Sequence, residues 1–182
     1  TGHTSGIGAE ITRYYTELGY ECIGFSLSNG YDISSEIDRK RIIEQSLDCD
    51  VFVNNASTYN DDSQLYILEE IYRSWEKQKK IIVNLSSVAG DLVGVDNPIV
   101  RTMYGDYYPM HKEKLDKFCR ISTLNPWPWI INIKPGRIDT SESQDDKKKN
   151  LKEYVKQIKS GIKNNESDNM LLINPNEIET RV

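Results

Sequence analysis

Three short stretches of this chain limit its fold more than anything else in it. "DVFVNNA" (50–56), "KIIVNLSS" (80–87) and "WIINIKPG" (129–136) are near-continuous apolar runs, each closing in small or polar residues. A strand covered on both faces reads this way, whereas a strand with one wet face alternates. Segments with helical spacing lie between them. In 9–20, Ile11, Tyr14, Tyr15 and Leu18 share one face, and Gly19 stops the run. In 34–47, Ile37, Ile42, Ile43 and Leu47 do the same behind a serine cap. Segments 62–78 and 109–124 follow suit, and "ECIGFSL" (21–27) reads as a further strand. The alternation predicts an α/β fold in which a doubly wound parallel sheet lies between two helical layers. In such sheets ligands bind beyond the carboxyl ends of the strands. This chain collects Ser26, Asn54, Asn55, Ala56, Ser86, Ser87, Pro135 and Gly136 there.

The opening "TGHTSGIGAE" sets Gly2, Gly6 and Gly8 in front of the first helix. A glycine-rich turn feeding a helix presents bare backbone N–H groups at the positive end of the helix dipole. Gly2 permits a tight turn, Gly6 lets a phosphate approach, and Gly8 lets the helix pack on the sheet. The expected ligand is the pyrophosphate of a dinucleotide; the alternative is an ordinary loop. Such a turn follows a strand, so a first strand is expected ahead of Thr1 and is missing from this sequence.

At 182 residues the chain is read as a single domain, 1–182. A net charge of −5 argues against nucleic acid or an anionic membrane as partner. No apolar run approaches the ~20 residues of a membrane span. Cys22, Cys49 and Cys119 are odd in number and unpatterned, which suggests a reducing, cytoplasmic setting. With His3 and His111 the only histidines, no metal site is expected. In the charged segment 141–169, Leu151, Tyr154, Val155, Ile158 and Ile162 keep helical spacing. It is either a solvated surface segment or a mobile flap over a substrate.

Five elements in order resemble the classical short-chain dehydrogenases/reductases. "TGHTSGIG" is similar to their TGxxxGxG turn, "NNAS" (54–57) to NNAG, and "VNLSSVAG" (83–90) to the strand bearing their serine. "YPMHK" (108–112) fits YxxxK, and "INIKPGRIDT" (131–140) is similar to their PG-x-I-x-T segment. The resemblance implies a Rossmann-type fold and an NAD(P)-dependent oxidoreductase acting on a small carbonyl or secondary alcohol. A homodimer or homotetramer is implied as well. Hydride transfer to a carbonyl needs a proton donor at its oxygen, and a tyrosine serves if its pKa falls. A lysine at i+4 shares its helix face and lowers that pKa. Tyr108 and Lys112 have this spacing, whereas Tyr104 and Tyr107 do not.

Ser87 is expected to orient the substrate oxygen, with Ser86 as its rival. Asn60 is either the fourth catalytic residue or a helix-start residue. The resemblance carries cofactor contacts to Gly2, Thr4, Ser5, Gly6, Ile7 and Gly8 in the turn. It adds Ser26, Asp32 and Ile33 at the adenosine end, then Asn54 and Ala56, and Lys112 and Tyr108 beside the nicotinamide. Pro135, Gly136, Ile138 and Thr140 complete the set. Ser26 stands where an acid would select NAD(H), and Ser28 and His3 add hydrogen-bonding groups, so the reading leans to NADP(H). Alternatives are a non-catalytic dinucleotide-binding sensor or scaffold, and an isomerase or dehydratase of nucleotide sugars.

Overall fold

Alternation of side chains along the strands decides how the layers form. The computed structural model describes residues 1–136 and the backbone of 170–171. Strands β1 (Val51–Asn54), β2 (Ile81–Leu85), β3 (Trp129–Ile133) and β4 (Met170–Leu171) pair side by side in that order, all parallel. Helices α1 (Gly6–Glu17), α2 (Glu36–Ser46), α3 (Ser63–Ser74), α4 (Pro98–Tyr104) and α5 (Tyr108–Ser122) are joined by two 3₁₀ turns, Leu27–Asn29 and Val88–Leu92.

On one face of the sheet, Val83, Leu85, Ile131 and Ile133 bury Ile11 of α1, with Ile7 and Tyr14 beside it. On the other, Phe52, Ile82 and Ile130 meet Ile42 of α2, Ile67, Leu68 and Ile71 of α3, and Leu115 and Cys119 of α5. Both faces are covered, which gives the expected three layers. Each fully buried side chain of this size contributes roughly 1.5–3 kcal/mol.

The same alternation carries Asn54, Asn84 and Asn132, which stand at one register position of β1, β2 and β3, toward α3 and α5. They form a buried row. Asn54 Nδ2 donates to Asn84 Oδ1 (2.9 Å) and to the Gln64 carbonyl (3.0 Å). Asn84 Nδ2 donates to Asn132 Oδ1 (2.7 Å), and Asn132 Nδ2 to Asp116 Oδ1 (2.8 Å). Pairing offsets the cost of burying these amides, and Asn54 Oδ1 is the atom of the row without a partner among the described residues.

Two local expectations change. Residues 21–27 form no strand: Glu21 to Ser26 carry no ladder, and Leu27 opens a 3₁₀ turn. Thr1 and Gly2 lie between this segment and β1, through the Thr1 amino group on the Val53 carbonyl (2.7 Å) and Gly2 N–H on the Phe25 carbonyl (2.7 Å). The second difference is α4, at residues to which the sequence analysis assigns no element. Asn97 caps it through Ile99 N–H (2.9 Å), and Pro98 opens it. The helix and flap read at 141–169 lie outside the described residues.

Candidate active site

The glycine turn is built for bare backbone. Gly2 has φ +68° and Gly6 φ +53°, the left-handed region that side chains with a Cβ rarely adopt. A Cβ on Gly8 would stand 2.1 Å from the Gly2 carbonyl oxygen, so Gly8 serves the turn's own closure rather than helix-on-sheet packing. The turn is pinned to the end of β1: Thr1 Oγ1 accepts from Asn55 N–H (3.1 Å) and Ala56 N–H (2.9 Å), and Asn55 Nδ2 donates to the Thr1 carbonyl (3.0 Å). Ser5 makes no side-chain cap, and the first turn of α1 holds no acid. The helix start therefore keeps donors and positive dipole suited to an anion.

Beside the turn a cleft of about 500 Å³ opens at the carboxyl ends of β1, β2 and β3. Ile7 and Asn55 border it on the turn side, and Pro135 and Gly136 on the β3 side. Ser87, Tyr108 and Lys112 come together in it. Ser87 caps the Val88–Leu92 turn by accepting from Ala89 N–H (3.1 Å), and with Ser57 it favours the ionised form of the Tyr108 phenol. Tyr108 opens α5, so Lys112 follows one turn later on the same side, with its Nζ 5.2 Å from the Tyr108 ring centre.

Lys112 is 3% exposed. Its Nζ donates to Gln64 Oε1 (2.6 Å) and the Leu85 carbonyl (3.3 Å). Burial pulls the amine down to about 7, against the opposing influence of Asp116. Tyr108 moves the other way from the expectation: burial raises its phenol above the ordinary value, with Tyr59 and Tyr104 adding to this and Ser87 and Ser57 opposing. The i+4 lysine does not depress it here, because an amine brought down to about 7 is uncharged in the range where a phenol titrates.

No family model and no curated relative matches the sequence. Solved structures do match. A short-chain dehydrogenase from Burkholderia cenocepacia in complex with NADP superposes with a TM-score of 0.71 at 16% identity, covering 99% of this chain and 89% of that one. The 3-alpha-hydroxysteroid dehydrogenase from Pseudomonas sp. B-0831, complexed with NADH, gives 0.70 at 16%, covering 99% and 96%. A 4-hydroxyisoleucine dehydrogenase complexed with NADH and succinate gives 0.71 at 18%, covering 96% and 95%. The fold is that of the short-chain dehydrogenases.

Within the short-chain dehydrogenase fold, several residues singled out in the sequence stand elsewhere than expected. Asn54 is fully buried in the asparagine row and does not reach the cleft. The Ile33 side chain lies in the core. Asn60 is exposed, three residues ahead of α3, and does not line the cleft. The side chain that meets the lysine is Gln64, which the sequence reading missed. Gln64 is 4% exposed, and its Nε2 donates to the Asn54 carbonyl (2.9 Å) and the Leu85 carbonyl (2.9 Å). Asn55, named at the ligand end of the sheet but not among the cofactor contacts, lines the cleft where Asn54 does not.

Thr4 and Ser5 are exposed in the turn. At the adenosine end, the Ser26 hydroxyl donates to Asn29 Oδ1 (3.1 Å) and shares a hydrogen bond with Ser28 Oγ (2.9 Å). Asp32 Oδ1 accepts from both Ser34 N–H (2.8 Å) and Ser34 Oγ (2.7 Å), closing its own turn. Ser86 is buried in the cleft lining, and its hydroxyl has no hydrogen-bond partner among the described residues. Ile138 and Thr140 lie outside the described residues. Among the described residues no helix is long and apolar enough to cross a membrane.

Proposed function

We propose that this protein is an NAD(P)-dependent oxidoreductase interconverting a small carbonyl compound and its secondary alcohol. The observation that carries the reading is the meeting of Ser87 and Tyr108 in one cleft beside the glycine turn, with Lys112 one helical turn along. The neighbours of this fold that hold NADP or NADH support the choice of cofactor class. The residues fit such a group: the start of α1 has no side-chain cap and no acid, Gly6 carries no side chain there, and Ile7 and Asn55 line the cleft where the nicotinamide end would lie. The nicotinamide, when bound, supplies or accepts the hydride.

The protein's own residues handle the oxygen and its proton. Ser87 orients the carbonyl oxygen by hydrogen bonding. Tyr108, kept protonated at neutral pH by its burial, donates its phenolic proton to that oxygen in the reducing direction. Lys112, poised near 7, exchanges a proton at neutral pH and offers its ammonium to the cofactor ribose. The hydroxyls of Ser26 and Ser28, with no acid beside them, lean the adenosine end toward NADP(H).

Tyr108→Phe tests the reading because it removes one oxygen and little else. Cofactor affinity, read by fluorescence titration with NADPH and NADH, should stay within about twofold, while turnover should fall by at least the ~100-fold typical of a lost general acid. Equal turnover in both proteins would overturn the assignment.

A further inference from the structure

The wall of the cleft around the Tyr108 hydroxyl is aromatic. Tyr59 packs on Tyr108 with ring centres 4.9 Å apart, and Tyr104 stacks at 6.1 Å with planes 10° apart. Met103 completes that side. Tyr59 is 65% exposed and Met103 47%, so both offer apolar surface that the fold itself does not cover. Tyr59 comes from the loop after β1, and Met103 and Tyr104 from α4, so two separate segments build the wall.

Charge is missing from the same wall. Among the described residues, the only charged side chain lining the cleft is Lys112, and its hydrogen bonds go to Gln64 and the Leu85 carbonyl. The nearby carboxylates are engaged outside the cleft: Asp62 with His111 and Lys114, Asp91 with Lys134. Among the described residues an anionic substrate would find only Lys112 as counter-charge, an amine already bonded to Gln64 and the Leu85 carbonyl, and burying a poorly paired charge is costly. A flat ring finds partners in Tyr59 and Tyr104, in the offset-stacked geometry aromatic groups prefer, and a thioether that packs well on ring edges.

We infer that the substrate is an uncharged aromatic carbonyl compound or the matching benzylic alcohol. Its ring lies against Tyr59, Tyr104 and Met103, and its oxygen lies between Ser87 and Tyr108. This rests on the oxidoreductase reading above, and its test separates the two.

Acetophenone, cyclohexyl methyl ketone and 4-acetylbenzoate present one carbonyl with a ring, without one, and with a ring plus a charge. The whole protein with NADPH should favour acetophenone over the cyclohexyl ketone by about three- to tenfold in kcat/KM, the range of one aromatic stack. It should favour acetophenone over 4-acetylbenzoate by at least tenfold. Tyr59→Ala should raise KM for acetophenone about three- to tenfold with kcat held, and change the cyclohexyl KM far less. Tyr59→Phe should restore the wild-type value, since stacking uses the ring and not the hydroxyl.

Saturation-transfer NMR with acetophenone and NADP⁺ reads binding without turnover. Ring saturation that depends on Tyr59, with no turnover of any ketone, would uphold the aromatic site and sink the oxidoreductase reading. Turnover that favours 4-acetylbenzoate or the cyclohexyl ketone would sink the aromatic site and leave the oxidoreductase standing. A Tyr59→Ala loss that falls on kcat equally for all three would also overturn it, because Tyr59 would then act only on Tyr108. Neither binding nor turnover overturns both.

Discussion

Lys112 and Lys134 are each 3% exposed, yet the protein treats them in opposite ways. Lys112, on α5, donates to two neutral oxygens, the Gln64 amide and the Leu85 carbonyl. Lys134, just past β3, is held by two carboxylates, Asp91 (2.5 Å) and Asp116 (2.8 Å). Burial lowers both amines, but at Lys134 the bonds to Asp116 and Asp91 outweigh it and the net shift is upward. At Lys112 burial wins, and the amine falls to about 7. The contrast teaches that low exposure by itself does not set the charge of an amine: Lys134 has carboxylate acceptors, one of them the exposed Asp91, whereas Lys112 lies deeper among neutral oxygens. One lysine is a fixed cation closing the end of the sheet, and the other titrates at neutral pH inside the cleft.

The comparison breaks most violently at Lys134. Lys134→Met leaves Asp116, 4% exposed, with Asn132 but without its cation. Urea denaturation at pH 7 should show a loss of about 3–5 kcal/mol, the usual cost of orphaning one partner of a buried pair. A loss under about 1 kcal/mol would mean that the pair does not act as a fixed, buried ion pair.

Gln64→Glu sharpens the comparison by giving Lys112 the kind of acceptor Lys134 has. In the wild type the unfolded chain holds the Lys112 proton between about 7 and its free value near 10.4, while the folded chain does not. Folding stability from this group therefore rises with pH across that window. With a carboxylate at position 64 the folded amine keeps its proton, and the rise should vanish. The readout is the change in urea midpoint between pH 6.5 and 9.5, because the lost Nε2 donor lowers stability at every pH. A slope identical to wild type would show that Lys112 is not the titrating group.

The smallest effect is at the asparagine row, which links the two lysines through Gln64 at one end and Asp116 at the other. Asn84→Ala strips a partner from Asn54 and from Asn132 at once. Thermal or urea unfolding should register a loss of about 1–3 kcal/mol, the desolvation cost of buried amides left unpaired.

These particulars also mark what a reader of the sequence can and cannot see. The apolar runs of β1, β2 and β3 announce a doubly covered sheet, because burial on both faces leaves no polar alternation to confuse the pattern. Tyr108 and Lys112 are legible as a pair, since four residues is one helical step. Gln64 is not legible. A glutamine in the first turn of a helix looks like a solvated residue, and its burial depends on Asn54, Leu85 and Lys112, which lie 10, 21 and 48 positions away in the chain. Asn54 misleads for a related reason. Polar residues at strand ends suggest ligand contact, but every second residue turns to the same face, and Asn54 falls on the covered one. The repeated "VN", "IVN" and "IIN" endings carried that information. The strand expected at 21–27 failed because a strand needs a ladder, and apolar composition by itself does not supply one.

The asparagine row has a consequence for how the chain finds its structure. Strands made mostly of apolar side chains fit one another nearly as well when shifted along their length. Hydrocarbon has no way to tell one alignment from the next. Three amides that meet only when β1, β2 and β3 are correctly aligned supply that discrimination. A shift of one residue turns them to the opposite face, toward Ile11 and α1. A shift of two keeps the face but presents each amide with a methyl group, at about 1–3 kcal/mol for every unpaired one. Mispaired intermediates are thereby made short-lived, and the greasy strands most prone to sticking wrongly carry their own proofreading.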